Sequence, residues 1–74
     1  MTFEPLETVV LTHDIPEQGL KAGDLGAVVE VYDGDGVEVE FVRASGETTA
    51  LVTLTVADLR PVSDRDMLAV RAVN

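Results

Sequence analysis

Gly26-Ala27-Val28-Val29-Glu30-Val31-Tyr32-Asp33-Gly34-Asp35-Gly36-Val37-Glu38-Val39-Glu40-Phe41-Val42 is the stretch that decides the fold. Two runs of alternating apolar and polar residues flank a Gly-rich turn. Such period-two alternation belongs to strands, because successive side chains point to opposite faces of a sheet. The parity predicts a hairpin with Ala27, Val29 and Val31 inward on one arm and Val37, Val39 and Phe41 inward on the other. Facing residues must share a face. Setting Val31 against Val39 then places Val29 opposite Phe41 and Glu30 opposite Glu40. The loop becomes Gly34-Asp35-Gly36, with Gly36 as its left-handed residue.

Working outward, Thr48 to Val56 alternates over a longer run. Ala50, Val52, Leu54 and Val56 face in, with Thr49, Leu51, Thr53 and Thr55 out, and Phe41 pairs with Ala50. Ala57-Asp58-Leu59 reads as one 3₁₀ turn. Arg60-Pro61-Val62 follows as a short strand whose proline confines it to an edge. Upstream, Glu7 to Thr12 is a strand. The loop from His13 to Asp24, broken by Pro16, Gly19 and Gly23, folds Ile15 and Leu20 back onto the core. The tail, residues 63–74, is open to two readings. Ser63 and Asp66 suit a helix start, whereas Leu68, Val70 and Ala72 alternate as in a sixth strand, the reading favoured here.

These elements predict one all-β domain over residues 1–74, a small SH3-like barrel of about five antiparallel strands with an extra C-terminal strand. The predicted core is Val29, Val31, Val39, Phe41, Val52 and Leu54. At 74 residues there is room for one small core.

Composition narrows the function. Fourteen acidic residues against five Lys and Arg give a formal net charge of −9. Nucleic-acid affinity comes from basic residues releasing counterions, so no nucleic-acid partner is expected. No apolar run approaches the roughly 18 residues of a membrane span, and Met1-Thr2-Phe3-Glu4-Pro5 carries no basic stretch. A cytoplasmic location without membrane contact follows. Cysteine is absent, which excludes disulfides and thiolate chemistry.

Each chemical motif has a plainer reading. Asp33-Gly34-Asp35-Gly36 lacks the later ligands of a calcium loop. His13-Asp14 holds the only histidine, too few ligands for a metal site. Ser45 has no nucleophile-elbow frame, and no helix or lysine follows Gly23-Asp24-Leu25-Gly26 to cradle phosphate. No cofactor, metal or catalytic residue is expected, and the chain reads as a non-enzyme.

What stands out is the outer face of the hairpin, where glutamates oppose one another and like charges across a sheet repel. Glu30, Tyr32, Glu38, Glu40 and Leu51 form the candidate partner-binding surface. Such a surface suits a basic protein partner, with the role of a small antitoxin or immunity protein as its sharpest form. Self-association of the chain is left open.

Gly19-Leu20-Lys21-Ala22-Gly23-Asp24-Leu25-Gly26-Ala27-Val28-Val29-Glu30-Val31-Tyr32 resembles the KOW-type motif of SH3-like barrels. With Val9-Val10-Leu11-Thr12, Val39-Glu40-Phe41, Val52-Thr53-Leu54 and Leu59-Arg60-Pro61-Val62, most of the chain resembles a family of short uncharacterised bacterial proteins, a domain of unknown function. The resemblance implies an SH3-like fold. The KOW-type likeness implies the alternative function, an accessory or regulatory domain contacting the transcription or translation machinery.

Overall fold

The computed structural model describes residues 3–73; Met1 and Thr2 of the N-terminal stretch and Asn74 of the tail lie outside the described residues. Its strands are β1 (Thr8–Leu11), β2 (Leu25–Val31), β3 (Gly36–Val42), β4 (Thr48–Thr55) and β5 (Leu59–Pro61). All pairings are antiparallel, in one open sheet of order β4-β3-β2-β1-β5. Single 3₁₀ turns occupy Pro16–Gln18 and Val56–Asp58. β4 and β5 are the edges, and Pro61 sits on β5 as expected.

One core draws on every strand, including Val9, Leu11, Val28, Val37, Val39, Phe41, Ala50 and Leu59. The β1–β2 loop closes it as the sequence implied. An isolated bridge joins Ile15 to Leu20, Leu20 is buried, and Ile15 packs against the cluster. Phe41 opposes Ala50, and Val52 and Leu54 pack partly onto the core.

The β2 half of the hairpin differs from the sequence reading. Val28 is 0 % exposed, whereas Val29 and Val31 are 46 % and 42 % exposed. For Val29 the cause is a β-bulge: Ala27 and Val28 pair with Glu40 and Val39, then Glu30 and Val31 pair with Glu38 and Val37, leaving Val29 as an extra residue, whereas Val31 keeps its inward side opposite the buried Val37 and is half-exposed there. One inserted residue reverses the phase of the alternation. Gly26 shows why the phase before the bulge is the observed one. It is buried, and a Cβ built there would lie 2.6 Å from Val39 Cγ1 and 2.9 Å from Phe41 Cε1. The Phe41 ring fills the space that Gly26 leaves, which sets Gly26 and therefore Val28 inward.

The turn shifts accordingly. The Tyr32 amide donates to the Gly36 carbonyl, so the loop is Asp33-Gly34-Asp35, and Gly34, not Gly36, is left-handed at φ 82°. The tail is also corrected: residues 62–73 contain neither strand nor helix. They form a strap held by two ion pairs, Arg60 with Asp66 at 2.8 Å and Arg71 Nε with Asp24 Oδ1 at 2.8 Å. Arg71 also donates to the Gly19 carbonyl.

Candidate functional site

The register of β2, β3 and β4 assembles the outer face row by row. Glu40 lies between Ala27 and Leu51, and Glu38 between Glu30 and Thr53. Tyr32 lies beside Gly36, which pairs with Thr55. All five candidate residues, Glu30, Tyr32, Glu38, Glu40 and Leu51, therefore share one surface. The opposed glutamates are Glu30 and Glu38 rather than Glu30 and Glu40. Leu51 is 54 % exposed, and Val29 joins it as an exposed apolar side chain that strand parity had turned inward.

Hydroxyl groups, not cations, orient these carboxylates. Tyr32 OH donates to Glu38 Oε1 at 2.9 Å, Thr53 Oγ1 donates to the same oxygen at 3.3 Å, and Thr48 Oγ1 donates to Glu40. Among the described residues, Lys or Arg ion pairs involve Asp24, Glu47 and Asp66, and none reaches Glu30, Glu38 or Glu40. A neutral donor positions a carboxylate and leaves its charge in place. The face therefore presents ordered, uncompensated negative charge beside an exposed leucine.

Tyr32 reports on this field. Its hydrogen bond to Glu38, with desolvation and Glu30 adding to it, pushes the phenol up to about 12. Tyr32 is the only tyrosine in the chain, so ultraviolet titration of its phenolate is unambiguous. Ionisation is expected near pH 12 in the folded protein, and Glu38→Gln is expected to move it back toward the ordinary tyrosine value of about 10.

His13 lies elsewhere. Its Nδ1 is 3.0 Å from the Asp14 carbonyl oxygen and its Nε2 is 2.6 Å from Asp58 Oδ1. Asp58 in turn accepts from the Thr55 amide and hydroxyl, capping the second 3₁₀ turn. The pair thus ties the β1–β2 loop to the β4–β5 junction. The hydrogen bond to Asp58 raises the His13 pKa above 6.5. Stabilisation by this raised group is fully present below the unfolded pKa and is lost as pH rises through the folded one. Melting temperature is expected to fall as pH rises from the ordinary histidine value of about 6.5 through the raised folded one, and this slope should be smaller in His13→Asn. The Asp58 pKa is lowered, chiefly by the Thr55 amide and then by His13. Its contribution is present above the unfolded carboxylate value and lost as pH falls through the folded one.

A cleft of about 920 Å³ runs between the strap and the sheet, with Val10, Leu25, Arg43, Met67 and Leu68 among its walls. Its charged groups largely satisfy one another, through Arg60–Asp66, Arg71–Asp24 and the looser Arg43–Glu47 contact at 3.6 Å. Among the described residues, no group of three or more His, Asp or Glu side chains could hold a metal ion. No helix there is long and apolar enough to cross a membrane.

Compared with known proteins, residues 6–61 match the family described as Domain of unknown function (DUF4926). This stretch takes in all five strands and leaves the strap outside. No curated protein and no solved structure matches the chain.

Proposed function

We propose that this chain, which belongs to the DUF4926 family, is a non-enzymatic cytoplasmic interaction module that docks a basic protein on the outer face of β2, β3 and β4. Neutralisation of that partner, as by a small antitoxin or immunity protein, is the specific role proposed. The observation that carries this reading is that Tyr32, Thr53 and Thr48 orient Glu38 and Glu40, while no Lys or Arg among the described residues pairs with them. Ordered charge of one sign speeds encounter with an oppositely charged partner and fixes its register. Leu51 supplies an apolar anchor inside that field.

The test is affinity capture from native lysate by the wild type and by the variant carrying Glu30→Gln, Glu38→Gln and Glu40→Gln. Gln keeps an oxygen to accept the hydroxyl bonds, and removing charge relieves the repulsion between Glu30 and Glu38. The variant is expected to melt no lower than wild type at neutral pH and to lose a single basic protein that the wild type retains. Capture of ribosomal or polymerase subunits, equal for both proteins, would overturn the reading in favour of an accessory role in translation or transcription.

A further inference from the structure

The two edges of the sheet are protected unequally. β5 is three residues long and carries Arg60 and Pro61, devices that discourage another strand from pairing there. β4 runs for eight residues, Thr-Thr-Ala-Leu-Val-Thr-Leu-Thr, with no charge and no proline. It pairs with β3 alone, and among the described residues no other backbone group bonds its outer edge. Thr49 shares a cleft with Ala72 and Val73 of the strap, and the Thr55 amide is taken by Asp58 Oδ2; Leu51–Leu54 is the open stretch between them. A long uncharged edge is a template for strand addition.

The side chains beside this edge define what can add to it. Leu51 and Thr53 lie on the outer face, directly opposite Glu40 and Glu38 on β3. Val52 and Leu54 lie on the inner face, only partly covered by the core. A strand added to β4 would sit two strand spacings, about 9.5 Å, from the glutamates. A Lys or Arg reaching back over β4 and a glutamate reaching forward together span that gap. The intervening residues, on the inner face, would complete the cover over Val52 and Leu54.

We infer that the free edge of β4 binds its basic partner by strand addition, accepting an extended segment with Lys or Arg at alternate positions and apolar residues between them. This rests on the acidic-face reading above and gives the partner a conformation and a sequence pattern. Charge complementarity favours such a segment over a second copy of this chain. Two copies, each with a net charge of −9, would bring glutamates toward each other from one strand behind each edge.

The probe is an end-capped octapeptide alternating lysine and valine, compared with the same peptide N-methylated on the backbone amides of one edge. The unmodified peptide is expected to bind, to protect β4 amides from hydrogen exchange and to leave β5 unchanged. N-methylation should weaken binding by about tenfold, as the loss of one or two net hydrogen bonds implies. Leu51→Lys, at an exposed position, should weaken the lysine peptide while melting as the wild type does. Equal binding of both peptides, abolished by the triple glutamine variant, would overturn strand addition and leave the acidic face standing. Failure of the unmodified peptide to bind would also overturn strand addition, with the acidic face then judged by lysate capture alone. Concentration-dependent protection of β4 without peptide would assign the edge to a second copy, and overturn the inference too.

Discussion

Phe41→Ala is expected to abolish the cooperative melt or to lower Tm by more than about 12 °C, the shift that 3 kcal/mol or more implies in a domain of this size. The ring is 3 % exposed. Its neighbours on both adjoining strands are small: Gly26 on β2, beneath the ring, and Ala50 on β4, directly opposite. Neither can move a side chain into the space that truncation would open. The cost therefore belongs in the full range of about 3–5 kcal/mol for removing a buried aromatic. A chain of 74 residues has a total stability on the order of 4–11 kcal/mol, so a large share disappears. Circular dichroism melting and a urea titration check this, and a melt within a few degrees of wild type would show that the core does not depend on the ring.

Gly26→Val attacks the same contact from the other side. The φ of Gly26 is not in the left-handed region, so a side chain there meets no backbone penalty and its cost is purely steric. The Cβ alone would stand 2.6 Å from Val39 Cγ1 and 2.9 Å from Phe41 Cε1, and valine adds two further carbons. Both neighbours are themselves buried and cannot swing away. Overpacking of this kind costs about 1–3 kcal/mol, occasionally more, with alanine at the lower end and valine at the upper. Combining Gly26→Ala with Phe41→Leu should be less destabilising than the sum of the two single changes, because the smaller side chain makes room for the methyl group. Strict additivity in denaturant midpoints would show that the two residues do not compete for one space.

Much of this protein was legible in one dimension. Alternation in Val37–Val42 and Ala50–Leu54 set the correct faces of β3 and β4, and the apolar positions Ile15 and Leu20 identified the loop that closes the core. The outer-face set Glu30, Tyr32, Glu38, Glu40 and Leu51 was also readable. Glu30 lies outward on either assignment of β2, because the bulge falls before it. Val29 was not readable as an exposed residue. Ala27-Val28-Val29 offers apolar side chains to both faces, and no residue within the run marks an insertion.

Sequence by itself determined the class of fold, the strand segments and the sign of the surface, because side-chain periodicity and net charge are local or additive properties. Register and phase were decided only by tertiary structure. Pairing Val31 with Val37 rather than Val39 is a shift of two residues, and a two-residue shift keeps every side chain on its face, so parity cannot detect it. The ring of Phe41 against Gly26 supplied the missing constraint, since one arrangement alone fills that space. The tail was settled in the same way. Its alternation suits a strand, yet a strand exists only where another backbone pairs with it. Here Arg71 meets Asp24, 47 residues away in sequence, and Arg60 holds Asp66, fixing the chain as a strap by contacts that no local pattern encodes.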